Sequence, residues 1–495
     1  MKFQTYGEVL RRIQLNSERM GDEMYTYPEV FRHGSEWWGD WEGRAILSLC
    51  CLSQITENEQ QEKIGVQLQE IIEHLNEYTN RFGYFGDVFN ENLVNEQQLS
   101  GNSWFLRGLC EYYRLTRDGN ILDRIKCIAD NYLALLSSSY ERYPICEREN
   151  GGVGGHLHEK SKDGWLLSTD IGCAFIMLDG ITDVYSLYPS EEIKSVIKGM
   201  IEKFITFDLI KCNFQTHATL TAVRGILRFY KQTGEMQYLE IAKQLFNLYV
   251  SQGMTLNYAN YNWFGKPLWT EPCAIVDSLL VASQLYKATG KIEYLRYFNR
   301  IYLNAISTSQ RLNGGAGCET CLTGESDGLK ISLYEAYFCC TMRFAEGLKC
   351  LCDFQCIQEH DGVLIPFYND FWCDLDGVEI SMRKIENGTQ GKIYINVPSD
   401  KPIKLSLYIP TNTVFIGNGR VEDCLYVLDN ACGEIEIEYS VPVYTEQRMG
   451  HNVLFAGDVL LSRKNDDKAF TPIMSYIDMN KNEEEKSVQY FWYDK

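Results

Sequence analysis

The chain has 495 residues, more than one hydrophobic core usually supports, so two domains are expected. Its formal net charge of −20 excludes a nucleic-acid partner, whose phosphates need a basic face, and favours a neutral ligand or a cation. Aromatic residues reach 13 %, with 32 Tyr and 9 Trp, whose flat faces and polar edges suit sugar rings as well as packing.

The opening residues, Met1 to Gly7, lack the apolar run of a secretory signal, and no stretch is long and apolar enough to span a membrane. Eighteen cysteines behind such a start point to a reducing compartment and free thiols, hence a cytoplasmic protein with no membrane partner. A homo-oligomer is compatible with this composition.

Up to about residue 355 the pattern is helix after helix. Lys63 to His74, Trp104 to Arg114, Ile121 to Leu136, Ile193 to Phe207 and Thr219 to Tyr230 all place apolar residues three and four apart. A phrase recurs between them: GLCEYYRLTRDGNIL from Gly108, GILRFYKQTGEMQYL from Gly225 and VASQLYKATGKIEYL from Val281. Each reads as a helix end, a polar turn and a new helix. Thr116, Thr233 and Thr289 mark the turns, Thr56 follows a similar helix end, and Tyr188-Pro189-Ser190 fills the one double interval. The period near 58 residues is too long for the usual solenoid units of roughly 33 to 47. Paired antiparallel helices would fill it, and about six pairs predict an (α/α)6 barrel over residues 1–355.

From Val363 the pattern changes. Val363 to Pro366, Val378 to Arg383, Gly391 to Val397, Ile403 to Ile409 and Gly433 to Tyr439 alternate or carry β-branched residues, with turn residues between them. This predicts an antiparallel β-sandwich over residues 356–495. The end, with the charged run Lys481 to Lys486, reads as a polar tail or a returning strand.

The chemistry centres on Glu271 and Cys273 in the turn Thr270-Glu271-Pro272-Cys273, together with the pair Cys339-Cys340. One carboxylate and three thiols suit tetrahedral Zn²⁺. Adjacent cysteines can share one ion only if the backbone between them bends. Cys318-Glu319-Thr320-Cys321 is a Cys-x-x-Cys that could instead complete a four-cysteine structural site with Cys339-Cys340. Other cysteines, such as Cys50-Cys51 in an apolar run, read as core. The Trp37 to Arg44 cluster has Asp40 placed to cap a helix and Glu42 in its first turn. Gly151 to Glu159 is a glycine-rich loop with two histidines, and His217 opens a helix with Arg224 two turns on. Tyr258 to Trp269, including Tyr261 and Trp263, is an aromatic stretch leading directly into Glu271.

This order of helix hairpins, Glu-x-Cys, hairpin, Cys-Cys and β-sandwich resembles the family 127 glycoside hydrolases, the β-L-arabinofuranosidase family. The family's Glu-Thr-Cys-Ala turn is similar to Glu271-Pro272-Cys273-Ala274. Its Tyr-Asn motif is similar to Tyr302-Leu303-Asn304-Ala305, and its His-Ala helix opening to His217-Ala218. The resemblance implies zinc held by Glu271, Cys273, Cys339 and Cys340, with Cys339 as nucleophile in a retaining hydrolysis of a small glycoside or oligosaccharide. His217 and Asn102, on helix openings, and Tyr261 and Trp263, in the aromatic stretch beside Glu271, are the expected substrate contacts. The sequence departs from the family where the general acid should stand, because no acidic residue lies between Gln252 and Thr270. Asn102 follows Gly101 where the family has Gly-His, and Thr341 replaces the Pro after the cysteine pair. Glu319 and Asp170 are the candidates for the missing acid. The alternatives are a carboxylate-dependent barrel glycosidase or unsaturated-uronide hydrolase with structural cysteines, and an inactive sugar-binding scaffold.

Overall fold

A computed structural model describes residues 2–32, 36–145, 155–325, 329–398, 402–464, 471–472 and 489–491. The helices are α1 Gly7–Met20, α2 Asp40–Ser53, α3 Asn58–Glu73, α4 Leu75–Tyr78, α5 Glu96–Thr116, α6 Gly119–Ile128 and α7 Met177–Leu187. They continue as α8 Glu191–Phe204, α9 Thr216–Thr233, α10 Met236–Gln252, α11 Pro272–Thr289, α12 Ile292–Ile301, α13 Ser307–Ser309 and α14 Cys340–Asp353. Helices α2, α5, α7, α9, α11 and α14 are the inner ones. Each packs on the next, and α14 returns to α2. Their partners α1, α3, α6, α8, α10 and α12 are amphipathic and turn a polar face outward. The ring closes as the (α/α)6 barrel expected.

The recurring turn has one physical origin. The hydroxyls of Thr56, Thr116, Thr233 and Thr289 each donate to the carbonyl four residues back, at 2.7–3.0 Å. In the last three the same oxygen accepts the N–H two residues on. One side chain thus satisfies an orphan carbonyl and starts the reversal. Gly234 and Gly290 follow in the left-handed conformation that ends a helix without a Cβ clash. Inner helices also meet backbone to backbone. A Cβ on Gly43 would lie 2.2 Å from Phe105 N, and one on Gly225 2.4 Å from Leu178 O.

The strands run β1 Lys2–Thr5, β2 Val94–Asn95, β3 Trp165–Leu166, β4 Gly317–Glu319, β5 Leu329–Glu335, β6 Ile357–Gln358, β7 Val363–Ile365, β8 Phe371–Leu375, β9 Val378–Asn387 and β10 Gln390–Val397. Next come β11 Ile403–Tyr408, β12 Val414–Ile416, β13 Arg420–Glu422, β14 Leu425–Ala431, β15 Gly433–Ser440, β16 Val443–Arg448, β17 His451–Ala456, β18 Val459–Lys464, β19 Thr471–Pro472 and β20 Gln489–Phe491. One sheet, β1-β8-β9-β10-β15-β12, and a second, β13-β14-β11-β7-β6, enclose a core that includes Ile380, Ile393, Ile395, Leu405 and Leu407. Within these two sheets pairing is antiparallel except for β7 with β11.

Two expectations need correcting. The chain before residue 355 is not helix alone: β2 and β3 form a two-residue parallel pair, and β4 pairs with β5. The first strand, β1, belongs to the sandwich, with Lys2 opposite Asp374. A third sheet, β16-β17-β18-β20-β5-β4, links the C-terminal strands to the barrel rim, so the chain's end includes a returning strand. The run 481–486 and the glycines 151–154 lie outside the described residues. Asn304 helps hold the two parts together. Its amide donates to the Asp458 carbonyl at 2.9 Å, and its carbonyl accepts from Leu460 N at 2.7 Å. Among the described residues no helix is long and apolar enough to cross a membrane.

Candidate active site and metal centre

The N-termini of the inner helices supply one rim of the barrel, and the candidate residues collect there. Glu271 is the N-cap of α11 with Pro272 in the first turn, a position where the missing N–H costs nothing. Cys273 follows on that turn. Cys339 is the N-cap of α14 and Cys340 its first residue, with Cys339 at φ −146°, ψ −62°. This bend at a helix start lets neighbouring cysteines face one point. Helix N-termini also favour negative charge, which suits thiolates.

One donor atom from each of Glu271, Cys273, Cys339 and Cys340 lies within 4.8 Å of all the others. Cys273 Sγ is 3.3 Å from Cys340 Sγ, which is 3.4 Å from Cys339 Sγ. Sulfurs bound at about 2.3 Å to tetrahedral zinc sit roughly 3.8 Å apart, so small rotations bring this set to a metal. Burial opposes ionisation of Cys273. Hydrogen bonds from Cys339 and Cys340, with the charges of Arg44 and His217, nevertheless hold its thiol well below the usual value. Cys339 is pushed up by its hydrogen bond to Cys273, and Cys340 by burial and the same neighbour. Burial, then Cys273, Asp170 and Cys318, push Glu271 well above the carboxylate range. One carboxyl and three thiols gathered this tightly are a donor set that could hold a metal ion.

A buried charge network supports the rim. Arg44 bonds Asp40 at 2.6 Å, donates to Cys273 Sγ at 3.6 Å and lies over the Trp104 ring, which Arg343 also covers. His217, 2 % exposed, stacks on Trp104 and bonds Asp277 through Nδ1 at 2.8 Å. Its Nε2 is buried with no partner among the described residues. Asp277 also accepts from Arg224 at 2.8 Å, Arg343 at 2.6 Å and Thr221 at 2.8 Å. Deeper in the barrel, Arg107 reaches Asp179, Asp183 and Glu346.

The two candidate acids part company. Along β4, Cys318 and Glu319 point to opposite faces. Cys318 is half-buried, while Glu319 is 2 % exposed and paired with Arg311 at 3.1 Å. Burial lifts Glu319 to about 7 against the pull of Arg311. Asp170 instead stands near Glu271, and its carboxyl receives no hydrogen bond among the described residues. Burial, then Glu96 and Asp40, lift it to about 7. Gly155 covers it so closely that a Cβ there would lie 2.6 Å from Asp170 Oδ2.

Two sequence expectations fail on contact geometry. The Asn102 amide bonds Phe85 N, Phe85 O and Gln98 O, all backbone, so it fastens a loop rather than a sugar. Trp263 is 1 % exposed and packs edge-on against Trp269, leaving no free face for a ring. Tyr261, beside it, is half-buried. Cys321, the other cysteine of the Cys-x-x-Cys, bonds Asn260 O instead of joining the cluster.

Residues 207–353 match the model of the β-L-arabinofuranosidase GH127 catalytic domain, a stretch that includes both ligand-bearing turns. Over this stretch the chain is similar to the family 127 glycoside hydrolases. Its fold is that of solved family members. A GH127 β-L-arabinofuranosidase from Geobacillus stearothermophilus T6 aligns with TM-score 0.65 and 13 % identity, over 94 % of this chain and 87 % of that one. A second GH127 β-arabinofuranosidase gives 0.64 and 12 %, over 94 % and 84 %. No curated protein matches the sequence. The sequence did not reveal Arg44, Gln215 or Asn262 as parts of the centre. Gln215 donates to Glu271 Oε2 at 3.3 Å. With its amide nitrogen turned inward, Asn262 donates to the same oxygen at 2.6 Å. The spacing of Asp40 and Arg44, one helical turn, was the only signal available.

Proposed function

We propose that this glycoside hydrolase cleaves β-L-arabinofuranosides, or a closely related small glycoside, with retention, using Cys339 as nucleophile in a zinc centre of Glu271, Cys273, Cys339 and Cys340. The observation that carries this reading is the cluster of one carboxylate and three thiols at the barrel rim, the one such group among the described residues. Zinc, when bound, keeps coordinating thiols deprotonated at neutral pH. The protein's own groups do the rest. Arg44 and the two helix N-termini favour negative charge on the sulfurs. Cys339 Sγ attacks the anomeric carbon, forming a C–S bond as the C–O bond to the leaving group breaks. Asp170, protonated near neutrality, gives its proton to that leaving oxygen. It then takes a proton from the water that displaces Cys339, so the configuration is restored.

The test is a panel of aryl glycosides with purified, metal-assayed protein. We expect release from the β-L-arabinofuranoside, retention by NMR, and loss of activity with zinc on chelation. Hydrolysis that survives complete removal of metal would overturn the reading in favour of carboxylate chemistry.

Asp170→Asn is expected to lower kcat/KM by roughly 10²–10⁴, most for poor leaving groups, whereas Glu319→Gln loses far less. In the wild type kcat/KM should fall above an apparent pKa near 7. The stability effect has the opposite sign. Folded Asp170 keeps its proton up to about 7, above the unfolded value of about 3.9, so the folded state binds the extra proton between these limits. Stability therefore falls as pH rises through that window and stays low above it. Asp170→Asn removes the penalty and should raise the unfolding free energy at pH 8, by on the order of 2–4 kcal/mol, with little change at pH 4. Denaturant midpoints at the two pH values check this. A variant that loses stability at pH 8 would show that Asp170 is ionised and structural.

A further inference from the structure

The aromatic stretch from Tyr258 to Trp269 buries Trp263 and runs into Glu271, and its asparagines hold that residue at both ends. Asn260 Oδ1 accepts the Glu271 N–H at 2.9 Å, which fixes the backbone. With its amide nitrogen turned inward, Asn262 donates to Glu271 Oε2 at 2.6 Å, and its own oxygen accepts from the Trp269 indole at 3.2 Å. The Asn262 backbone is tied on both sides: its N–H donates to Trp269 O at 3.1 Å, and its carbonyl accepts from Thr216 N at 3.0 Å. Gln215, the N-cap of α9, donates to the same Oε2 at 3.3 Å, and its side chain does not cap the helix. Gln215 is bridged to Trp263, so both amides ride on one frame. Both side chains are buried and converge on one carboxylate oxygen. Among the described residues the other oxygen, Oε1, accepts no hydrogen bond.

Resting on the zinc reading above, we propose that Asn262 and Gln215 are positioning residues that reserve Glu271 Oε2, so that the carboxylate meets the metal through Oε1 alone. Turning both oxygens toward one ion would leave two buried N–H donors unpaired, and this opposes the rotation. Amides suit the task because they donate without adding a charge beside the thiols. Three sulfurs and one oxygen then complete the four-coordinate set that zinc favours, whereas a chelating carboxylate would add a fifth donor. The Trp269 indole sets which way the Asn262 amide faces, so the aromatic stretch acts on the centre through Glu271.

X-ray absorption on zinc-loaded wild-type protein should count three sulfurs and a single oxygen at about 2.0–2.2 Å. Asn262→Leu keeps nearly the same volume and removes the donor. It should bind zinc about tenfold more weakly or worse against a chromophoric chelator. The three sulfurs should remain while the single short oxygen distance is lost, a change that mere loosening of the fold would not produce. Two oxygens beside three sulfurs in the wild type, or an unchanged oxygen shell in Asn262→Leu, overturn this proposal and leave the zinc reading intact. Wild-type protein that holds no zinc overturns both. If Asn262→Leu fails to fold, Gln215→Leu applies the same test from the other side of Oε2, and the wild-type oxygen count stands by itself.

Discussion

Cys339→Ser is expected to lower turnover by several powers of ten while the barrel stays folded. A serine hydroxyl is far harder to ionise than a metal-bound thiol, so the nucleophile is lost. Three or more decades correspond to roughly 4 kcal/mol of transition-state stabilisation. Cys340→Ser is the comparison, because it removes the same kind of donor one residue away, in contact with the same sulfurs. Both variants are measured for zinc before kinetics, and the informative quantity is the difference between them. An electrophilic β-L-arabinofuranosyl analogue should label Cys339 alone, read by peptide mass spectrometry. Equal, modest losses in both variants with zinc retained would assign the cysteines to structure and the chemistry to carboxyls such as Asp170.

Asp277→Ala is expected to cost the fold about 3–5 kcal/mol, the usual penalty for breaking a buried ion pair by removing one partner. Asp277 is 0 % exposed and accepts four hydrogen bonds, from Arg224, Arg343, His217 and Thr221. Burial raises its pKa, but Arg343 and Arg224 more than reverse this and hold the carboxyl well below the usual range. Stability from a depressed carboxylate is present above its unfolded pKa of about 3.9 and disappears only as pH falls through the lower folded value. The network should therefore survive at pH 4. Without Asp277, two guanidiniums remain in the interior with Glu346 as their shared anion. His217 loses the bond that sets its ring against Trp104. Chemical denaturation at pH 7 measures the loss. A change under about 1 kcal/mol would show that the charges reorganise freely and that the network does not hold the rim in place.

The barrel was legible because its information is local. Each Thr turn is closed by bonds to residues four before and two after, so the phrase around Thr116, Thr233 and Thr289 carries its own geometry. The strands from Val363 onward were legible for the same reason, since side chains that alternate along one segment specify which face is buried. The Glu-and-three-Cys cluster was partly legible, because Glu271 and Cys273 share one turn and Cys339 and Cys340 are neighbours. That the two turns meet depended on the resemblance.

The choice between Asp170 and Glu319 could not be read from either residue. Both are buried acids lifted to about 7, and they differ in surroundings that only the fold supplies: Arg311 pairs with Glu319, while Asp170 lies under Gly155. Asn102 and Trp263 looked like substrate contacts, yet backbone amides and a packing partner claim them. Sequence by itself determined the helix pairs, the strand-rich second part and the donor chemistry, since turns, periodicity and side-chain softness are properties of short segments. Tertiary structure alone decided that Arg44 faces Cys273 and that β1 joins the sandwich. Those contacts join residues far apart in the chain, and their energies exist only once the ring has closed and excluded water from the charges inside it.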